Sequence, residues 1–295
     1  MPVVGYICPI ERTKVSFDHF DECTAFKGRP AYSPYLAKLG ADKILSDVRH
    51  STLDITATQI MDCPRKIYID RTTEYYVDPR KRAASDRGTG QHTVMGKILD
   101  PAKYYTEEND PIRLSIGGTL FGVPISAKAD VIKRDLSEII DAKFPKDWSV
   151  RYRDKLGKVR GEYAIQLNEM RLLLGQQEWA IKDGYDPDNV NLTLWDHGLG
   201  DIEGPMCQNA VHMSEDEMAN TKPYMSTLTV SQHIEILSEV KRLHEEIKPG
   251  DDLAKEQLAA GIPLVGLPMF NGKKCNGCEV KDKCDALVAK YGRPD

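Results

Sequence analysis

Two short apolar runs flank a charged connection near the middle of the chain. Ala127-Lys128-Ala129-Asp130-Val131-Ile132 leads through Lys133-Arg134-Asp135-Leu136-Ser137 into Glu138-Ile139-Ile140-Asp141-Ala142-Lys143-Phe144. Runs of this length around a polar turn predict a β-hairpin with Asp130 on the first strand and Asp141 and Lys143 on the second. Upstream, residues 54–66 read as a strand-like start running into a helix, with Thr56 or Thr58 as N-cap and Cys63 near the helix end. Gly88 and Gly90 predict a tight turn before a helix that carries His92 in its first turns. Pro111 to Pro124 reads as short strands around Gly117-Gly118. Downstream, Tyr163, Leu167, Met170 and Leu174 form the apolar stripe of a helix over 161–182. Strands are expected at 189–196 and 224–230, a helix capped by Ser231 over 232–248, and a shorter helix over 251–260. The order predicts an α/β fold, with strands in the middle and helices on both sides.

Composition changes this picture little. The chain has 295 residues, 41% hydrophobic and 29% charged, ordinary for a soluble globular protein with a substantial core. No run approaches the roughly 20 apolar residues of a membrane span, and no basic start precedes an apolar stretch. A cytoplasmic protein with no membrane partner is the expectation. The net charge of −5 argues against a chain-wide nucleic-acid coat, so local patches decide phosphate binding. One basic patch follows the hairpin. It runs from Lys143 through Lys146, Arg151, Arg153, Lys155 and Lys158 to Arg160, with Trp148 and Tyr152 interleaved. It reads either as a groove that holds phosphates and stacks bases or as a solvated loop. The first 50 residues read as an extension. Cys8, His19 and Cys23 within it are either zinc ligands of unfamiliar spacing or free thiols.

Candidate chemistry concentrates in the hairpin. Residues two apart on a strand share a face, so Asp141 and Lys143 point the same way, and pairing brings Asp130 alongside. Converging carboxylates are the usual oxygen ligands of Mg²⁺ or Mn²⁺, and an adjacent lysine can orient a water or stabilise a phosphorane. An Asp–Lys salt bridge on an ordinary hairpin is the plainer alternative. Glu239-Val240-Lys241, Glu246-Ile247-Lys248 and Glu279-Val280-Lys281 repeat the acid-x-Lys spacing without an upstream strand aspartate, and read as solvated charges. The seven cysteines are an odd number, and without an export signal metal binding is the better expectation than disulfides. Cys275, Cys278 and Cys284 form a C-x2-C-x5-C pattern that needs a fourth ligand. By spacing alone that ligand is Cys63, Cys8, Cys23 or Cys207.

Together these residues resemble the RecB-like, iron–sulfur branch of the PD-(D/E)XK nucleases, the group that includes the AddB nuclease domain and CRISPR-adaptation exonucleases. The resemblance spans about residues 52 to 288. It implies a restriction-endonuclease-like core, a central mixed sheet flanked by helices, in a nuclease domain over 51–295 closed by a C-terminal cysteine-rich staple. It implies that His92, Asp130, Asp141 and the carbonyl of Ala142 hold Mn²⁺ or Mg²⁺. Asp130, Asp141, Lys143 and Gln166 are then the catalytic set, and Cys63, Cys275, Cys278 and Cys284 bind a 4Fe–4S cluster, with Zn²⁺ the alternative. Two departures stand out. The family's tyrosine four residues after the glutamine is Met170 here, and the first motif is Ala129-Asp130 without proline. The implied activity is metal-dependent exonucleolytic cleavage of DNA, on single-stranded ends, with a helicase or CRISPR-adaptation-type protein as partner. The competing expectation is a DNA-binding adaptor of such a system with little nuclease activity and zinc in place of the cluster.

Overall fold

Strands and helices alternate along the chain. A computed structural model describes residues 3–8, 12–16, 53–77, 79–144, 161–196, 206–223, 226–265 and 273–293. The N-terminal third holds β1 (Val3–Ile7), β2 (Lys14–Val15), β3 (Ile55–Thr56), α1 (Pro64–Thr72), β4 (Tyr75–Val77) and α2 (Pro79–Ile98). Next come β5 (Tyr104–Thr106), α3 (Pro111–Leu114), β6 (Ser115–Leu120), β7 (Val123–Lys128), β8 (Val131–Lys133) and β9 (Glu138–Lys143). They are followed by α4 (Gly161–Leu174), α5 (Glu178–Lys182), β10 (Asn191–Asp196), β11 (Met206–Asn209) and α6 (Glu215–Asn220). The chain closes with α7 (Val230–Glu246), α8 (Asp252–Gly261), α9 (Lys273–Asn276) and α10 (Lys281–Tyr291). The fold is α/β, with mixed sheets flanked by helices. No described helix is long and apolar enough to cross a membrane.

The chain divides into two compact units. One comprises Met1–Leu53, Cys63–Arg87 and Glu239–Asp295; the other comprises Asp54–Asp62 and Gly88–Ser238. The boundary expected near residue 50 lies outside the described residues, as do His19, Cys23 and the basic patch beyond Phe144.

In the second unit the larger sheet has the order β11-β10-β9-β8-β5. β9 lies at its centre, parallel to β10 and antiparallel to β8. Ile139, Ile140, Asp141 and Ala142 are all buried, as expected of a strand covered on both faces. α4 and α5 supply the crossover that a parallel β9–β10 pair requires. α4 packs on β9 and β10 and on β6 and β7 of a smaller sheet, ordered β3-β7-β6. Two of its buried polar side chains are tied down: Arg171 donates to the Pro187 carbonyl at 2.9 Å and to the Met213 carbonyl at 2.7 Å, and Asn168 Oδ1 accepts from Met213 N–H at 2.8 Å.

Several expected elements differ. The first hairpin strand is interrupted at Ala129-Asp130, so Asp130 immediately precedes β8 rather than lying on a strand. Gly88 and Gly90 sit inside the continuous helix α2 and make no turn, and His92 is well along that helix. Cys63 occupies the N-cap position of α1, ahead of Pro64, not a helix end; a single 3-10 turn, Gln59–Met61, precedes it. The helix over 161–182 breaks after Leu174, and its buried residues run all round rather than along one stripe. The break lets Gln176 and Gln177 reach β6. Gln176 accepts from Thr119 N–H at 2.8 Å and donates to the Thr119 carbonyl at 2.9 Å, while Gln177 donates to the Gly117 carbonyl at 2.6 Å. Gly117 and Gly118 therefore lie within one strand, β6. A Cβ on Gly118 would sit 2.3 Å from Gln176 Oε1, so a larger residue there would have to move the Gln176 amide off Thr119. The strand expected over 224–230 is not formed by its described residues: Val230 opens α7, and Thr229 holds the capping position expected of Ser231, exchanging hydrogen bonds with Gln232.

In the first unit β1 pairs antiparallel with β2 and parallel with β4. Helices α1, α8 and α10 pack on one another.

Candidate active site

The site is built at the C-terminal end of β9, where a strand-borne lysine and two aspartates meet. The pairing Val131↔Ile140 and Ile132↔Ile139 fixes the register of the β8–β9 hairpin. Extending it by one residue sets Asp130 opposite Asp141. Asp130 Oδ2 takes a hydrogen bond from Ala142 N–H at 2.8 Å, so the aspartate continues the ladder where the strand stops. A strand residue's N–H and C=O point to the same neighbour, so the Ala142 carbonyl faces the edge that Asp130 occupies.

Asp141 and Lys143 share a face, and Lys143 Nζ lies 2.7 Å from Asp141 Oδ1. The other oxygen, Asp141 Oδ2, is fully buried without a hydrogen-bond partner among the described residues. Above Lys143 the Tyr163 ring of α4 presents its face, with its centroid 5.4 Å from Nζ. Gln166 is one helical turn on from Tyr163 and only 9% exposed, which excludes an outward-pointing glutamine. On the opposite side, Met95 of α2 packs with Val131, Ile140 and Ala142. That contact brings His92 to the site, where Nδ1 lies 3.7 Å from Asp130 Oδ1. The His92 ring meets Phe144 edge to face, with centroids 5.1 Å apart.

Electrostatics mark the same residues. Burial pushes Asp141 up to about 6 against the pull of Lys143, and the negative charge of Asp130 adds to the rise. Burial likewise raises Asp130, opposed by Lys143 and by the Ala142 N–H. Burial works against the Lys143 charge, but Asp141 and Asp130 outweigh it and its pKa is raised. Two interacting carboxyls with raised pKa values share protons unless a cation replaces them.

The residues fit a divalent cation in two respects: a buried oxygen is left without a partner, and two carboxyls already repel. Among the described residues, however, no three His, Cys, Asp or Glu side chains converge tightly enough to form a ready-made metal group.

The cysteines lie in the first unit. Cys63 precedes α1, Cys275 is on α9, Cys278 follows it, and Cys284 is on α10. The thiols of Cys275 and Cys284 are raised, first by burial, with the negative charge of Cys63 a smaller cause in each. Cys278 N–H donates to the Cys275 carbonyl at 3.1 Å. Of the other candidates, Cys207 is exposed on β11 in the second unit and Cys8 is buried after β1.

Three contributors escaped the sequence reading. Tyr163 sat in the helix stripe three residues before Gln166, so its spacing was the available signal. Phe144 read only as the end of a strand. Arg65, two residues after Cys63, is fully buried.

Fold and site define an α/β protein with a carboxylate–lysine centre at the end of a central strand. No protein-family model and no curated protein matches the chain. Among solved structures it is similar to an alkaline exonuclease, LHK-Exo, from Laribacter hongkongensis, at 16% identity and a TM-score of 0.41, covering 66% of this chain and 93% of that one. The same protein in complex with dAMP gives 17% identity and a TM-score of 0.41, covering 66% and 91%. SSO0001 gives 16% and 0.42, covering 74% and 89%. Likeness at this level carries no argument about activity.

Proposed function

We propose that this protein is a metal-dependent deoxyribonuclease of the RecB-like PD-(D/E)XK class, acting as an exonuclease on single-stranded DNA ends. One observation carries the reading: Asp130, Asp141 and Lys143 gather at the end of β9, and Asp141 keeps a buried oxygen without a partner. Asp130, Asp141, the Ala142 carbonyl and His92 would hold Mn²⁺ or Mg²⁺. When bound, that ion neutralises charge on the scissile phosphate and lowers the pKa of an attacking water. Lys143, kept charged by both aspartates, would orient that water as its oxygen bonds to phosphorus and the bond to the leaving oxygen breaks; the water's proton passes to solvent and the leaving oxygen takes one up from solvent. Tyr163 holds the ammonium from its open side, and Gln166, buried one turn away, supports the same wall. Cys63, Cys275, Cys278 and Cys284 would carry a 4Fe–4S cluster or Zn²⁺ as a staple, a reading that rests on their spacing in the sequence and not on converged thiols.

The test is digestion of end-labelled single-stranded DNA, linear and circular, with Mn²⁺ or Mg²⁺. Loss of linear but not circular substrate is expected. Asp141→Ala and Lys143→Ala should each lower the rate by at least about a thousandfold with an unchanged circular dichroism spectrum. Wild-type rates in either variant sink the assignment. Binding without digestion favours the adaptor.

A further inference from the structure

The strand ends at the site carry a third acid. Thr106 pairs with Val131 in the β5–β8 ladder, as Val131 pairs with Ile140 in β8–β9. Extending both ladders by one residue sets Glu107 and Asp141 on either side of Asp130. Glu107 thus stands two strand spacings from β9, roughly 10 Å. Its carboxylate is held by Lys128, whose Nζ lies 2.5 Å from Oε1. Lys128 is the last residue of β7, two positions before Asp130, and pairs with Ser115. Ala129 between them is buried, and its N–H donates to the Leu114 carbonyl at 3.0 Å. That anchor fixes where the lysine leaves the strand. All these residues lie in the second unit.

Exposure separates this lysine from the catalytic one. Lys128 is 50% exposed and Glu107 65%, whereas Lys143 is 26% exposed and tied to an Asp141 that is 1% exposed. An exposed ion pair contributes little, so it opens readily when a better partner arrives. A phosphate that takes charge-assisted hydrogen bonds is such a partner. Asp130 and Asp141 repel a polyanion, and the charge of Lys143 is already matched by Asp141. Burial raises the Asp130 carboxyl, and Lys128 is the weaker of the two lysines that oppose the rise, so its charge reaches the site.

We infer that Lys128 is a positioning residue that holds a phosphate of the DNA strand next to the scissile one, and that Glu107 engages the same ammonium until the strand arrives. Glu107 thereby sets the affinity, by competing with the phosphate. This rests on the nuclease part of the proposed function. The plain alternative is a solvated ion pair with no part in binding.

The test reads binding and turnover separately. Digestion of end-labelled linear single-stranded DNA is followed at several salt concentrations. Binding of the same DNA is followed by fluorescence anisotropy with Ca²⁺ in place of Mn²⁺ or Mg²⁺. Lys128→Gln should raise Kd and KM about 3- to 10-fold, more than it lowers kcat, and should flatten the slope of log Kd against log salt by about 0.7. Glu107→Gln should lower Kd by about 2- to 5-fold. In the Lys128→Gln background that gain should vanish, because the acid acts through the lysine. A gain of equal size in both backgrounds would reflect lost negative charge alone and overturns the competition. Lys128→Gln with wild-type Kd and an unchanged salt slope overturns the inference and leaves the nuclease standing. If wild type binds without digesting, the binding measurements decide alone. A wild-type chain that neither binds nor digests DNA removes the nuclease reading, and this inference with it.

Discussion

At the scale of single residues, burial decides which charges are chemically informative. Three acid-x-Lys triplets besides Asp141-Ala142-Lys143 occur in the chain, and Glu239 in one of them is exposed and paired with Arg242. Asp141 differs because it is buried beside a second carboxyl. Glu169 is a different case, fully buried on α4 with neither oxygen hydrogen-bonded among the described residues. Burial raises its pKa well above the ordinary 4.5, so the fold keeps the proton where the unfolded chain has lost it. The unfolded state then binds fewer protons, and this group's contribution to stability, complete below pH 4.5, is lost as pH rises towards the folded pKa. Glu169→Gln keeps the shape without the ionisation. Relative to wild type its unfolding free energy should grow by about 1.4 kcal/mol per pH unit above that point, read from denaturant midpoints at successive pH values. Parallel stability profiles for the two chains would show that Glu169 ionises freely in the fold.

At the scale of elements, the sequence signals were right about type more often than about limits. The hairpin over residues 127–144 was legible because branched apolar residues bracket a polar turn, and that pattern also set Asp141 and Lys143 on one face. Its interruption at Asp130 was not legible, since it depends on an aspartate side chain replacing a strand residue against Ala142 N–H. Glycine misled in two places. Gly118 leaves room for the Gln176 amide, from a residue far along the chain, to reach Thr119. Gly88 and Gly90 lie within α2, where a Cβ on either meets nothing within 4 Å. Alanine at both should stabilise the helix by roughly 2 kcal/mol in all, since each glycine costs about 1 kcal/mol against alanine in a helix interior. Thermal unfolding of the double variant checks this; a lower midpoint would show that those glycines serve a backbone approach instead.

At the scale of the whole molecule, the chain leaves and re-enters its units. Residues Cys63–Arg87 and Glu239–Asp295 belong to one, although 151 residues of the other, Gly88–Ser238, separate them (238 minus 88, plus one). Joining segments so far apart is entropically costly, and the proposed cysteine-bound metal would remove freedom from the unfolded chain. Chelation of the purified protein should therefore increase amide exchange in residues 63–72 and 273–291 by at least about tenfold, while β8, β9 and β10 stay protected. Equal loss of protection in both units would tie the centre to the whole fold.

The sequence by itself determined the kinds of element and the residues able to do chemistry. Local periodicity and side-chain type are properties of neighbouring positions, and Asp130, Asp141, Lys143, His92 and the late cysteines could all be named from them. Only the tertiary structure decided which of these meet and under what field. The approach of His92 to Asp130, the ring of Tyr163 over Lys143 and the orphaned oxygen of Asp141 each depend on two segments packed by the core. Desolvation, which raises the carboxyls of Asp130, Asp141 and Glu169, exists only once that core excludes water.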